Sequence, residues 1–405
     1  TVNTATPNLR ITNVLNDVAG NTLPAEPWFM HKERINYNSQ INRGEANTSY
    51  GEAIYSSSYD KGEFLSSFDI NPGTPLNSFF FNVGAVNVPN TTAKLEIGVA
   101  GASNLGTTRR FEVVIGGTTY INQPLTRFDF GVFTSDVPMN VLPNGFNVNL
   151  PFTVRNLSSN PNDRMVVGYA QLTYPRMFNF NNLPVYEFEL QASTQGNYLE
   201  IANFNNNGVA PVLYDLTNMQ RYIGDIQPSG LVRFRLVPSV TERNLVLMST
   251  ASNAMQQVTR ITTRNFVNYA QASAQGDYLI IYHPNLASGA NPVEQYRAYR
   301  ASATGGGYNA KLYDINELTD QFAFGIKKHP LSIRNFVRMA RQVYPQPLKA
   351  VFLLGKGVSY DEYRRFESNP DIERQSLVPT WGWPPSDNLL VSNTILTANP
   401  VVPIG

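Results

Sequence analysis

The residues that could do chemistry are few, because the 405-residue sequence holds three histidines and no cysteine. Without cysteine, these residues offer no disulfide, no thiolate metal site and no thiol nucleophile. Of the histidines His31, His283 and His329, only His283 directly follows a short apolar run and so lies at a predicted strand end. We favour a loop role for it over a catalytic one. His329 precedes a predicted helix, where the dipole disfavours positive charge, so we expect it to be structural.

A second group of candidate residues surrounds a Gly-Lys-Gly turn and a Trp- and Pro-rich segment downstream of it. Together with His283 they make up the predicted edge of a site. The candidate site-edge positions are His283, Gly355, Lys356, Gly357, Ser386 and Asp387. Just before the last two, Trp381 and Trp383 could line a substrate groove, but packing against the sheet edge is the favoured interpretation.

Carboxylates cluster between the turn and the tryptophans, and oxygen atoms of this kind bind Ca²⁺. The acidic residues are Asp361, Glu362, Glu367, Asp371 and Glu373. Their spacing matches no known calcium loop, so a solvated charged loop is favoured and a structural Ca²⁺ is the alternative. No other cofactor is required by the sequence.

Other chemistries lack their motifs. No Gly-x-Ser-x-Gly elbow and no Walker lysine motif occurs. The glycines 305–307 follow a predicted helix instead of opening one, so they fit a helix end. The charges nearly balance, with 31 Lys and Arg against 30 Asp and Glu, which gives no electrostatic reason to expect a nucleic-acid partner. No apolar run approaches the roughly 18 residues of a membrane helix.

The elements that must position these residues alternate between strand and helix. Residues 277–282, 310–314 and 349–354 are short apolar runs typical of buried strands. Pro292 and Pro330 open helices between them, since proline suits the first helical position. The order strand, helix, strand, helix, strand predicts a parallel sheet. Its ligand-binding edge would then carry the strand ends at His283, Asp314 and the Gly-Lys-Gly turn.

Upstream, the pattern is β throughout. A Gly116-Gly117 pair between two apolar runs predicts a tight hairpin, and further strands with turn signals suggest a sandwich or jelly roll. We therefore predict a multidomain chain with an all-β, jelly-roll-like sandwich before an α/β parallel sheet. The predicted limits are a lead-in at 1–45, a β sandwich at 46–175, a second small β domain or completion of the sandwich at 176–265, and an α/β region at 266–405.

The α/β region carries a resemblance to a known family. Its tracts Lys327–Phe336, Val351–Gly355, Val378–Asp387 and Val402–Gly405 resemble the first half of a gingipain-like C25 cysteine peptidase domain, which has a caspase-like fold. The resemblance covers most of the chain but is specific only from about residue 277. Many gingipains carry Asp where Lys356 stands. This departure favours the sortase branch of the family, which belongs to the type IX secretion system of Bacteroidota.

The resemblance implies a cysteine-type peptidase and transpeptidase at the cell surface, secreted and associated with the outer membrane. It implies removal of C-terminal sorting signals from secreted cargo and transfer of the cargo to an anionic lipopolysaccharide, with an outer-membrane β-barrel as shuttle partner. The family's catalytic His and Cys are expected beyond Gly405, so no catalytic residue is assigned within this chain. Two alternatives stay open, a secreted gingipain-type protease and a non-catalytic cell-surface β-sandwich binding module.

Overall fold

Strands dominate the chain up to residue 248, and the α-helices begin after them. The computed structural model describes residues 11–44, 46–49, 52–55, 63–103, 109–146, 148–256, 265–382, 385–393 and 399–405. The strands of the β region are β1 (Thr12–Asn13), β2 (Phe29–Asn36), β3 (Gln40–Arg43), β4 (Ala46–Ser49), β5 (Glu52–Tyr55), β6 (Glu63–Ser66), β7 (Leu76–Phe80), β8 (Thr92–Gly101), β9 (Arg109–Ile115), β10 (Thr118–Leu125), β11 (Phe130–Pro138), β12 (Leu150–Asn156), β13 (Met165–Arg176), β14 (Asn179–Leu183), β15 (Val185–Leu190), β16 (Asn197–Phe204), β17 (Val212–Asp215), β18 (Gln220–Ile223), β19 (Asp225–Ile226), β20 (Val232–Leu236) and β21 (Arg243–Met248).

A single sheet runs through the described part of the β region. Its nine strands follow the order β1-β18-β17-β21-β15-β2-β13-β8-β11. The sheet β10-β9-β12-β7 packs against one half of it, and the sheet β14-β16-β20-β19 packs against the other. The result is two β sandwiches, each with its own apolar core, built on one shared sheet. The predicted all-β sandwich region is confirmed.

Alternation of side chains explains how the sandwiches form. In β8, Leu95, Ile97 and Val99 are fully buried, while Lys94 and Glu96 on the opposite face are exposed and half-buried, as expected for a strand with one face in the core. The predicted hairpin is confirmed: β9 and β10 pair antiparallel through Gly116 and Gly117, whose φ angles are 56° and 81°. Two consecutive residues with positive φ are what the tight turn needs.

The strand β2 joins the two sandwiches. It lies between β13 and β15 and pairs antiparallel with both, although its residues belong to the predicted lead-in. The shared sheet therefore continues through the predicted units 1–45, 46–175 and 176–265. The domain limits themselves stay a prediction.

The C-terminal part is an α/β unit. Its elements are β22 (Tyr278–Tyr282), α1 (Pro292–Ala301), β23 (Ala310–Asp314), α2 (Ile315–Phe322), α3 (Leu331–Val343), β24 (Ala350–Leu354), α4 (Tyr360–Arg365) and α5 (Pro370–Gln375). The central strand β22 pairs parallel with β23 on one side and β24 on the other. This confirms the predicted parallel sheet and its three strands.

Both faces of this sheet are covered, as a parallel sheet requires. Leu279 and Ile281 point to the face where α3 packs, and they share a core with Phe336. Ile280 points to the opposite face, where Tyr296 of α1 packs. The alternation along β22 thus places consecutive apolar residues in two separate cores.

Two helices, α2 and α3, lie between β23 and β24, where the sequence pattern predicts only one, so α2 is a difference from that prediction. The helix starts directly at the end of β23, without a glycine or proline to mark the change. Asp314 caps it by accepting a hydrogen bond from the backbone N–H of Asn316 at 2.8 Å. Such caps stabilise a helix start by about 1 kcal/mol.

Residues 403–405 extend the parallel sheet beyond β24. The backbone N–H of Val351 donates to the carbonyl of Pro403 at 2.8 Å, and that of Leu353 donates to the carbonyl of Gly405 at 2.7 Å. Val351 and Ile404 form a parallel bridge. The outer edge of β24 is therefore paired, and the sheet order becomes β23, β22, β24 and then this segment.

A buried ion pair lies in the first sandwich. Arg109 of β9 donates to both carboxylate oxygens of Asp163, at 2.7 Å each, and both side chains are almost fully buried. Ser103 and Asn156 donate to the same carboxylate, at 2.6 and 3.1 Å. Burial opposes ionisation, but the hydrogen bonds and charge of Arg109 outweigh it and hold the pKa of Asp163 below its usual value.

His329 caps the start of α3. The backbone N–H of Leu331 donates to its Nδ1 at 3.0 Å, and the hydroxyl of Ser332 donates to its backbone carbonyl at 2.7 Å. The side chain is buried against the ring of Tyr360. Burial, and then the nearby Arg364, lower the pKa of His329 to about 4. The predicted structural role of His329 is confirmed.

The buried ion pair predicts a large effect of one substitution. Arg109→Met leaves Asp163 charged, buried and without its cation, and should lower the free energy of unfolding by about 3–5 kcal/mol. The matched control is Arg155→Met, because Arg155 pairs with Glu112 at the surface with 49% of its side chain exposed. The control should change the free energy by less than about 1 kcal/mol. Urea unfolding of both variants checks this, and equal losses would contradict it.

His329 predicts a loss of stability in acid. Its folded pKa lies below the ordinary value of 6.5, so the unfolded state binds more protons between pH 6.5 and about 4, and stability falls as pH falls through this range. From pH 7 to 4.5 the contribution is about 2–3 kcal/mol. His329→Asn keeps an acceptor for the cap but does not titrate, so it should lose that part of the pH dependence. His283→Asn, at a more exposed cap, should change it less. An unaltered pH profile in His329→Asn would refute the assignment.

Candidate functional site

The carboxyl edge of the parallel sheet is where the candidate residues lie. The register places Tyr282 opposite Asp314 on one side and opposite Leu354 on the other. His283 and Gly355 therefore follow directly at two adjacent strand ends. In open parallel sheets, ligands bind beyond these ends, so the fold places the candidates at the edge predicted for a site.

His283 has a hydrogen-bonding role at this edge. The backbone N–H of Asn285 donates to its Nδ1 at 3.2 Å, so the lone pair of this nitrogen is engaged and the neutral ring carries its proton on Nε2. Burial, followed by the charge of Lys328, lowers the pKa of His283, and Asp314 and Glu373 oppose that shift. At neutral pH the ring is a neutral hydrogen-bond donor and not a general base with a free Nδ1.

Lys328 and Glu373 complete the electrostatic surroundings of His283, and the sequence analysis did not place them there. Burial lowers the pKa of Lys328, while Glu373 raises it. Burial and the carboxylate of Asp314 raise the pKa of Tyr282. Lys328 stands in the loop before α3 and Glu373 in α5. From the sequence, Lys328 is noted only within the tract 327–336 that resembles a family, and Glu373 only as a possible calcium ligand. Nothing local in the sequence links either residue to His283.

The Gly355–Gly357 turn is shaped by a close approach of another segment. A Cβ atom at position 357 would lie 2.3 Å from the carbonyl oxygen of Val378. Gly355 has a φ of 138°, and a Cβ there would lie 3.0 Å from side-chain atoms of Leu377 and Val378. The backbone N–H of Leu377 donates to the carbonyl of Lys356 at 2.8 Å. The two glycines are needed because residues 377–378 close directly onto the turn. The side chain of Lys356 is exposed.

Asp387 is connected to the same turn. Its carboxylate accepts a hydrogen bond from the hydroxyl of Thr380 at 3.1 Å, and the backbone N–H of Ser386 donates to the carbonyl of Trp381 at 2.6 Å. The backbone nitrogen of Thr380 lies near Gly357, 3.4 Å from where a Cβ would stand. The structure thus links Gly357, Thr380 and Asp387, while His283 lies at the neighbouring strand end.

Trp381 does not line a groove. It is fully buried in the core beneath α3, with the guanidinium of Arg334 lying 4.8 Å from its ring centre. The favoured interpretation, packing against the sheet, is confirmed for this residue. Trp383 lies outside the described residues.

The acidic residues of the calcium alternative have separate partners. Glu367 pairs with Arg364 at 2.7 Å, Asp371 pairs with Arg374, and Glu373 accepts from the hydroxyl of Tyr363 at 2.8 Å. Across the described residues, no group of three or more His, Asp or Glu is arranged to hold a metal ion. The side chain of Asp361 is not described, and a structural Ca²⁺ stays a prediction.

The candidate residues include no thiol, because the sequence has no cysteine. His31 lies in β2, where its Nε2 is 3.1 Å from Glu33 and its Nδ1 3.2 Å from the hydroxyl of Tyr186. Among the described residues, no helix has the length and apolar character needed to span a membrane.

Comparison with known proteins shows which family the α/β unit resembles. A family model described as peptidase family C25 matches residues 271–405, the segment that contains all the candidate positions. No curated protein matches the sequence.

Among solved structures, dimeric latent PorU from Porphyromonas gingivalis is similar over 96% of this chain, with 10% identity and a TM-score of 0.53. This chain covers 36% of that PorU chain. The CBM36-1 domain of a xylanase from the hindgut metagenome of Trinervitermes trinervoides matches 35% of this chain and 96% of its own length, at 10% identity. Its TM-score of 0.22 is too low to support an argument.

The family match agrees with the geometry, since the segment with the parallel sheet is the segment that the family model covers. The similarity to PorU extends through the β region, although only the C-terminal third matches the family model. Residues 271–405 therefore match the model of peptidase family C25, and the whole chain has a fold similar to that of part of PorU.

Proposed function

We propose that this chain is the N-terminal part of a sortase-like C25 cysteine peptidase. The protein would remove C-terminal sorting signals from secreted cargo and transfer the cargo to an anionic lipopolysaccharide. The observation that carries the proposal is the similarity to PorU over 96% of the chain. A peptidase unit alone would account for residues 271–405, whereas this similarity includes the two β sandwiches as well.

The proposed chemistry needs a thiolate and a base. The base takes the proton of the thiol, the thiolate attacks the carbonyl carbon at the cleavage site, and the protonated base gives its proton to the departing amine of the sorting signal. The resulting thioester is then attacked by an amine of the acceptor, which forms a new amide and restores the thiol. Because the sequence has no cysteine, the nucleophile is proposed to come from polypeptide outside these 405 residues.

The described residues would act at the rim of that site. The Gly355–Gly357 turn, His283 and Asp387 would border the cleft at the carboxyl edge of the sheet. Their role is positioning, since glycine at 357 allows residues 377–380 to close on the turn. We further propose that the protein acts at the cell surface, with an outer-membrane β-barrel as its shuttle partner. We propose no nucleic-acid partner.

The proposal predicts a transfer reaction by the intact polypeptide that contains these residues. Incubated with a cargo protein bearing a C-terminal sorting signal and with glycine amide as acceptor, it should yield cargo joined to the acceptor, detected by mass spectrometry. Iodoacetamide should abolish the product, and the 405-residue chain alone should give none. Gly357→Ala, which places a Cβ 2.3 Å from the Val378 oxygen, should slow transfer at least tenfold, while Gly73→Ala, with nothing within 4 Å, should not.

The other outcomes separate the alternatives. Hydrolysis of generic peptides without transfer would replace the sortase by a secreted gingipain-type protease. A lack of any thiol-dependent activity in the intact polypeptide would leave a non-catalytic surface module.

A further inference from the structure

A cavity of about 670 Å³ lies where the β region meets helix α4. Its volume is in the range of sites for small molecules, about 300–1,000 Å³. From the β region it is lined by Tyr37, Ile41, Phe64, Phe130 and Tyr169 among others, and from α4 by Tyr360 and Arg364. None of the candidate site residues lines it, so it is separate from the carboxyl edge of the parallel sheet.

The apolar wall is built by aromatic rings that lie directly on glycines. A Cβ at Gly168 would be 2.7 Å from the ring of Phe64, and a Cβ at Gly98 would be 2.4 Å from the ring of Tyr169. Phe64 also contacts Phe130 edge to face, with ring centres 5.4 Å apart. Any larger residue at either glycine would displace these rings. The wall is therefore a packed aromatic surface on which an apolar group can be buried.

Tyr169 is fixed at both its ring and its hydroxyl. The guanidinium of Arg34 lies 3.6 Å from the ring centre, and the hydroxyl donates to Glu96 at 2.9 Å. Arg34 itself donates to the neutral side chains of Asn36 and Gln171, at 3.1 and 3.3 Å. The ring of Tyr169 is thus held by the Arg34 cation, and its hydroxyl is held by the carboxylate of Glu96.

The charge at the cavity is positive. Among the described lining residues, Arg364 is the charged one, and no carboxylate lines the cavity. Arg364 is about one third exposed and pairs with Glu367 at 2.7 Å, whose side chain is about half exposed. A pair this exposed is weak, so the guanidinium retains donors for an incoming anion. The chemistry that fits is an apolar body with a single anionic head.

We propose that this cavity binds an amphipathic anion whose apolar chain packs on Phe64, Phe130 and Tyr169 and whose head group meets Arg364. A free fatty acid and a lipid phosphate share this chemistry. Helix α4 begins three residues after Gly357, so the ligand would bridge the β region and the segment that follows the Gly-Lys-Gly turn. This inference does not depend on the proposed peptidase activity.

The test uses the 405-residue chain and the fluorescent probe 8-anilinonaphthalene-1-sulfonate, which joins an aromatic body to a sulfonate. Wild-type protein should enhance its fluorescence, and dodecanoate should displace it. Over octanoate, decanoate and dodecanoate, affinity should rise about two- to fourfold per added methylene, since each buried CH₂ is worth about 0.8 kcal/mol. Dodecanol, with the same chain and no charge, should displace the probe at least tenfold less well.

Variants locate the site. Arg364→Gln should weaken dodecanoate binding about tenfold, whereas Arg365→Gln, on the exposed side of the same helix, should not change it. Glu367→Gln releases Arg364 and should strengthen binding. Ile41→Trp fills the cavity and should abolish the probe signal, with near-UV circular dichroism as the check that it folds.

Dodecyl phosphate distinguishes the two sources. Tighter binding than dodecanoate favours a lipid phosphate, and weaker binding favours a fatty acid. Equal displacement by dodecanol and dodecanoate would overturn the proposal, as would the same loss of binding in Arg364→Gln and Arg365→Gln. If Ile41→Trp does not fold, the comparison of dodecanoate binding by Arg364→Gln and Arg365→Gln decides whether the proposal stands.

Discussion

The α/β unit depends on one constraint, that its central strand is paired in parallel on both sides and buried on both faces. Each backbone group of β22 points to β23 or β24, and its side chains enter two cores in turn. A strand of this kind is stable only when helices cover both faces. The helices α1 and α3 do so, and the parallel direction then brings every strand end to one edge. His283 and Gly355 are neighbours for this reason, and for no reason local to either.

The β region is stabilised differently, by two separate apolar cores on one shared sheet. One sheet forms part of both sandwiches, and β2 lies near its centre between β13 and β15. The cores on either side of β2 are separate, so each half buries its own apolar face. The buried pair of Arg109 and Asp163 contributes little net stability when intact, but removing one partner leaves an uncompensated charge.

Much of the fold could be predicted from the sequence, because the signals are local. Pro292 and Pro330 mark helix starts, and short apolar runs mark the three parallel strands. The helix α2 could not be predicted so easily, since the chain passes from β23 into it without a break, with only the Asp314 cap as a signal. The position of β2 in the shared sheet depends on partners about 140 residues away, which no local pattern records. At the site, the glycine turn was found from sequence, whereas Lys328 and Glu373 come to His283 only through the tertiary fold.

The parallel sheet continues past β24 into residues 403–405. Native-state amide hydrogen exchange tests this directly in the 405-residue chain and in a chain that stops at residue 401. The N–H groups of Val351 and Leu353 donate to the carbonyls of Pro403 and Gly405, so they should exchange slowly in the first chain and much faster in the second, while the amides of β22 stay protected in both. Fast exchange of Val351 and Leu353 in the 405-residue chain would contradict the parallel pairing of β24 with residues 403–405, and fast exchange throughout β22 would contradict the sheet itself.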